Sequence, residues 1–187
     1  MAYRRLPVYL LIDVSGSMDG EPIQAVSNSV YQLVADLRAN PWSLETVWLS
    51  VIIFSDDACQ VVQLTDMESF QVPELVVDGG MTALGSAISL LCECRDREVV
   101  QRTLEHSGDY LPIVMILTDG QPTVGDFDKG IRDFKAKKWG KCVCCAIGPD
   151  ADVDSLRRIS DNIVELPGGN GLSSDDLLTF FKNTLSL

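Results

Sequence analysis

Four nearly continuous apolar runs constrain this chain most: Tyr9 to Val14, Val47 to Phe54, Ile113 to Thr118 and Cys142 to Ile147. Each is far shorter than the roughly 20 residues a membrane-spanning helix needs. Each is also too uniformly apolar for a strand with one wet face. Runs of this kind belong to strands buried on both sides, as in parallel sheets covered by helices. Ile163 to Leu166 is a shorter run of the same type. Ala58 to Leu64 alternates instead, which predicts an edge strand joined to its predecessor by a hairpin at Ser55-Asp56-Asp57.

Helical spacing fills the intervals. Ile23, Val26, Val30, Leu33, Val34 and Leu37 recur at that spacing after Glu21-Pro22, with Asp19 or Gly20 as cap and Pro41 beyond the end. A second helix is predicted from about Thr82, burying Leu84, Ala87, Ile88 and Leu91 and leaving Arg95-Asp96-Arg97-Glu98 as a solvated run. Further helices are expected over Phe127 to Lys138, Val153 to Ile159 and Ser174 to Leu185, the last capped by the serines and aspartates at its start. Strands alternating with helices define an α/β class: a doubly wound, mostly parallel six-stranded sheet, one antiparallel edge strand, and helices on both faces. No repeat, linker or low-complexity tract divides residues 1–187, so one domain is expected.

Composition narrows the partners. Fifteen Lys and Arg against 27 Asp and Glu leave a net charge of −12, which disfavours nucleic acid and anionic membranes. Arg4-Arg5 before an apolar stretch superficially resembles a signal peptide, but Asp13 interrupts the stretch and no small-x-small cleavage site follows. The six cysteines read as thiols: Cys142, Cys144 and Cys145 fall in a strand-like run, and Cys92 and Cys94 in a helical one, without the CxxC spacing of a zinc knuckle. A cytoplasmic location follows from that reading. Trp42, Trp48 and Trp139 are expected to be partly buried rather than interface anchors.

In open sheets of this class the loops at the carboxyl ends of the strands form the binding crevice. Three such loops carry oxygen donors: Asp13-Val14-Ser15-Gly16-Ser17, Asp78-Gly79-Gly80-Met81-Thr82 and Thr118-Asp119-Gly120. Together they offer the carboxylates of Asp13 and Asp119 and the hydroxyls of Ser15, Ser17 and Thr82. Hard oxygen donors with little net charge suit Mg²⁺, with Mn²⁺ or Ca²⁺ as alternatives. Five side chains, some acting through water, leave a coordination position for an oxygen from outside. Asp and Ser after a strand can also serve only as turn formers or caps, but three matching loops at strand ends argue against that.

On these residues the chain resembles the von Willebrand factor A domain family, whose metal-ion-dependent adhesion site is an Asp-x-Ser-x-Ser motif completed by a distant Thr and Asp. Ile12 to Met18, Gly79 to Gly85 and Leu117 to Thr123 match its three parts. More narrowly, Leu10 to Pro22, the GGMTALGSA segment and Cys144 to Gly148 resemble bacterial TerY-type members associated with tellurium resistance and stress. The resemblance implies that Ser15 and Ser17 bind the metal directly, that Thr82 joins in a ligand-competent state, and that Asp13 and Asp119 bind directly or through water. It also implies a PP2C-type phosphatase and a protein kinase as partners.

The function expected is therefore a non-enzymatic, metal-dependent docking module, completed by a carboxylate or phosphate oxygen of a partner protein. The alternative is a Mg²⁺-dependent phosphatase-like enzyme, which would want Asp-x-Asp after the first strand; Ser15 stands at the second position, and the single histidine, His106, lies in a polar stretch. Neither GxGxxG nor GxxxxGK occurs in the first strand-to-helix turn, which sets nucleotide binding aside. Met18, Asp19, Gln121 and Thr123 adjoin the proposed ligands and are expected at the rim where a partner docks. Because an acidic ligand must approach an acidic protein, a basic rim is expected as well, with association that weakens as salt is raised.

Overall fold

The computed structural model describes residues 4–123 and 125–187. Six strands form one sheet in the order β3-β2-β1-β4-β5-β6: β1 (Leu6–Asp13), β2 (Val47–Phe54), β3 (Ala58–Asp66), β4 (Ile113–Thr118), β5 (Lys141–Ile147) and β6 (Ile163–Leu166). All neighbouring pairs are parallel except β2 and β3, which make the expected antiparallel edge. Six helices cover it: α1 (Glu21–Ala39), α2 (Pro41–Thr46), α3 (Leu84–Glu98), α4 (Phe127–Lys135), α5 (Val153–Arg157) and α6 (Ser174–Leu185).

The central strands are apolar throughout because each face meets its own helical layer. Val8, Leu10 and Ile12 of β1 pack with Val26, Val30, Leu177 and Phe181 of α1 and α6. Tyr9 and Leu11 of the same strand pack with Leu84, Ile88 and Ile131 of α3 and α4. The cysteines of β5 divide likewise, Cys145 to the first cluster, Cys142 and Cys144 to the second. All six cysteines are free, and Cys59 alone of them is exposed. Among the described residues no helix is long and apolar enough to cross a membrane.

Several boundaries differ from expectation. The first strand starts at Leu6 rather than Tyr9, and α3 starts at Leu84 rather than Thr82, leaving Thr82 in the loop. Helices α4 and α5 stop short, at Lys135 and Arg157. Pro41 opens α2, which the sequence pattern did not reveal; the Asn40 side chain caps it by accepting from the Ser43 amide at 3.1 Å. Trp42 on that helix is 51% exposed, more than expected, whereas Trp139 stacks on Phe134 with ring centroids 4.7 Å apart.

Within Arg95 to Glu98, Asp96 and Arg97 are exposed as expected, but Arg95 and Glu98 are not solvated. Arg95 is only 7% exposed and donates to the Lys138 carbonyl. The Glu98 carboxylate accepts from the Tyr9 hydroxyl, the Gln60 amide and the Leu64 main chain, locking the end of α3 to β1 and β3. Distant partners make those burials tolerable, since a buried charge needs hydrogen bonds, although Arg95 Nε has none among the described residues.

The buried thiols have a consequence for stability. Burial pushes the Cys92 and Cys145 thiols from 9.0 up to about 12, and Cys94 also upward, because a thiolate there would lose its water. Raised folded-state values mean that this stability is fully present below about pH 9.0 and is lost as pH climbs toward about 12. Urea midpoints are expected to hold level from pH 7 to 8.5 and fall above 9, with a shallower fall in a Cys92→Ala, Cys145→Ala variant. A midpoint still level near pH 11 contradicts this.

Candidate metal centre

Strand register brings the first two parts of the site together. In the parallel pairing of β1 with β4, Ile12 lies opposite Leu117. The next residues, Asp13 and Thr118, therefore end their strands side by side. The Thr118 hydroxyl donates to one Asp13 carboxylate oxygen at 2.6 Å, and the Ser15 amide donates to the other at 2.9 Å. A 3₁₀ turn over Gly16–Met18 then carries Ser17 back across the strand end. Ser15 and Ser17 hydroxyls lie 3.3 Å apart, and Ser17 donates to the Asp119 carboxylate at 2.7 Å. Asp13, Ser15, Ser17 and Asp119 thus form one continuous polar chain.

Thr82 arrives from the segment before α3. Gly79 and Gly80 both adopt φ +78, a left-handed conformation that L side chains rarely take, and this turns the chain toward the site. The Asp56 carboxylate accepts from the Met81 amide at 2.8 Å and holds the turn against the β2–β3 hairpin. Thr82 is 7% exposed; its carbonyl accepts from the Thr123 amide, while its hydroxyl enters no hydrogen bond among the described residues. A Cβ on Gly120 would stand 2.6 Å from that hydroxyl, so the glycine is what lets Thr82 sit against the Asp119 loop.

The carboxylates are electrostatically uncomfortable. Burial pushes Asp13 above the usual 3.8, against the hydrogen bonds from Ser15 and Thr118 that pull it down. Asp119 is also raised, first by burial and then by the Asp13 charge, with Asp150 adding to it. Among the described residues neither forms an ion pair with Lys or Arg. Two close carboxylates, three hydroxyls and no counter-charge make a donor set that fits a hard divalent cation.

Of the rim residues expected from sequence, Asp19 and Gln121 are exposed and Thr123 is half-buried beside Thr82. Met18 is not at the rim: it is fully buried in the α1 and α6 core, where it anchors the 3₁₀ turn. Thr118 was missed; its signal was a hydroxyl at the end of the strand that pairs with β1. The basic rim is also absent. The loops following the strand ends and facing this side span residues 14–21, 55–57, 78–83, 119–126, 148–152 and 167–171, and they hold nine Asp or Glu and no Lys, Arg or His.

The family model of the von Willebrand factor type A domain matches residues 8–166, from the first strand to the last. The chain belongs to this family. Such domains are generally protein-interaction modules, mostly non-enzymatic, and commonly bind divalent cations through a metal-ion-dependent adhesion site. The A domain here is 29% identical over 136 residues to an uncharacterized Synechocystis protein, sll0103, covering 69% of this chain and 29% of that one. It is 25% identical over 164 residues to mouse inter alpha-trypsin inhibitor heavy chain 4, covering 82% of this chain and 17% of that one. The chain therefore spans less than a third of the length of these curated relatives. Among solved structures, a von Willebrand factor type A protein from Catenulispora acidiphila superposes with a TM-score of 0.67 at 19% identity, covering 96% of this chain and 42% of that one. BatB from Bacteroides thetaiotaomicron superposes at 0.61 with 15% identity, covering 97% of this chain and all of that one. These likenesses establish the shared fold.

Proposed function

We propose that this A domain is a non-enzymatic docking module whose Asp13, Ser15, Ser17, Thr82 and Asp119 hold a divalent cation, Mg²⁺ by preference, and present it to an oxygen of a partner protein. The observation that carries the reading is the buried Asp13 carboxylate linked through the Ser15 and Ser17 hydroxyls to half-buried Asp119, with neither carboxylate in an ion pair among the described residues. A cation bound there supplies a Lewis-acid position for the partner's oxygen. The chain's own residues do the positioning: Thr118 and the Ser15 amide fix Asp13, Ser17 fixes Asp119, and Gly120 makes room for Thr82. The resemblance of Leu10 to Pro22 and Cys144 to Gly148 to TerY-type proteins supports a role in a cytoplasmic bacterial stress or tellurium-resistance assembly, with a PP2C-type phosphatase and a protein kinase as the proposed partners.

Gly120→Ala tests the reading with little disturbance to the fold, because the added methyl meets only the end of the Thr82 side chain. The variant is expected to keep wild-type thermal stability in EDTA while losing at least roughly tenfold in Mg²⁺ affinity, the scale typical of disturbing a group that orients a metal ligand. Capture of the candidate phosphatase and kinase on immobilised domain is expected to require Mg²⁺ and to fail with EDTA or Thr82→Ala. Undiminished capture in EDTA contradicts the proposal.

A further inference from the structure

We infer that the partner segment completing this site carries its carboxylate between lysines or arginines, so that the A domain selects a basic partner motif rather than an acidic one. The inference rests on the cation-binding reading above and deepens it. It begins from charge. A divalent ion neutralises Asp13 and Asp119 together, leaving eight of the nine loop carboxylates, Asp119 being the one already counted. Several of these are tied directly to the site. Asp78 donates its amide to Val14, Asp152 donates its amide to Gly120, Asp56 holds Met81, and the Asp150 charge is felt at Asp119.

A carboxylate approaching alone meets repulsion from this ring. Like charges about 8 Å apart in water cost roughly twofold in affinity per pair before salt screens them. A phosphate, with close to twice the charge, fares worse. Cations flanking the carboxylate reverse the sign of the same interactions and steer association.

A second, independent feature provides a place for one of those cations. Beside Thr82 lies a cleft of about 150 Å³ lined by Asp56, Met81, Ser86, Thr123 and Asp126 among others. The Thr123 amide donates to the Thr82 carbonyl, which sets the cleft directly against the proposed ligand. The Thr123 hydroxyl is buried from solvent and has no hydrogen-bond partner among the described residues. The Thr82 side chain, 7% exposed, is likewise without one among the described residues. Two carboxylates and an unanswered buried hydroxyl in a small cleft match the three donors of a lysine ammonium.

The probe is a set of fluorescein-labelled pentapeptides, Gly-Lys-Asp-Lys-Gly, Gly-Glu-Asp-Glu-Gly and Gly-Lys-Asn-Lys-Gly, titrated by anisotropy against the Mg²⁺-saturated chain at low salt. The Lys-flanked aspartate peptide is expected to bind at least roughly tenfold tighter than the Glu-flanked one, with the preference shrinking as salt rises. The asparagine peptide is expected not to bind, nor any peptide in EDTA. Asp126→Asn, which removes a carboxylate that touches none of the five proposed ligands, should weaken the Lys-flanked peptide roughly threefold while Mg²⁺ affinity, measured by calorimetry, stays unchanged. Equal binding of Lys- and Glu-flanked peptides, or no binding of the Lys-flanked peptide to Mg²⁺-loaded chain, overturns the inference and leaves the cation site standing. A second Mn²⁺ per chain that disappears in the Asp126→Asn variant assigns the cleft to a metal and overturns it too. Absence of any Mg²⁺ binding removes both readings.

Discussion

Mg²⁺ at about one hundred times its dissociation constant is expected to stabilise the wild-type chain by about 2.7 kcal/mol, whereas Asp13→Asn gains nothing. For a chain of this size that corresponds to a rise in midpoint of roughly 5–10 °C. The two proteins should exchange order between conditions. In EDTA, wild type holds a fully buried Asp13 charge with no ion pair among the described residues, and the cost of that burial falls on the folded state alone. Asparagine removes the charge, and its carbonyl can still accept from the Ser15 amide as Asp13 does now. Asp13→Asn is therefore expected to be at least as stable as wild type in EDTA and less stable in Mg²⁺. Differential scanning fluorimetry under both conditions reads the crossing. A variant that is much less stable in EDTA as well would show that Asp13 serves the fold through its hydrogen bonds instead.

The second large effect concerns the packing that holds the Asp119 loop. A Cβ on Gly85 would stand 2.5 Å from the main chain at Asp126 and Phe127, and a Cβ on Gly130 would stand 2.7 Å from the Gly85 carbonyl. Helices α3 and α4 thus meet backbone to backbone, with no flexible side chain able to yield. Even Gly85→Ala forces α4 outward and is expected to cost roughly 2–3 kcal/mol, read as a lower urea midpoint at unchanged slope. Because Asp126 ends the segment that begins at Asp119, the displacement should weaken Mg²⁺ binding as well. Alanine tolerated at wild-type stability would mean that the two helices are not in contact through these glycines.

The architecture was legible because strands buried on both faces lose their alternation, and Tyr9 to Ile12 or Val143 to Ile147 could hardly be anything else. The five oxygen donors were legible for a related reason: hydroxyls and carboxylates at the ends of apolar strands stand out against their surroundings. What escaped depended on neighbours far along the chain. Thr118 takes its place from the β1–β4 register. Arg95 and Glu98 read as solvated because their partners, Lys138, Tyr9 and Gln60, come from other elements. Met18 follows a polar motif yet turns inward, since a 3₁₀ turn points successive side chains in widely different directions. The segment from Met67 to Ala83 has no regular secondary structure, but it buries Met67, Phe70 and Leu75, a pattern without period. The acidity of the rim needed the topology, because only the sheet order reveals which loops share one end.

The most direct test of cation binding is a Mn²⁺ titration followed by electron paramagnetic resonance, in which free and bound ion are counted separately. Wild-type chain is expected to bind one Mn²⁺, displaced by excess Mg²⁺, with that ion absent in Asp13→Asn. Equal Mn²⁺ binding in wild type and Asp13→Asn, or none in either, would contradict the assignment of Asp13, Ser15, Ser17, Thr82 and Asp119 as a cation site.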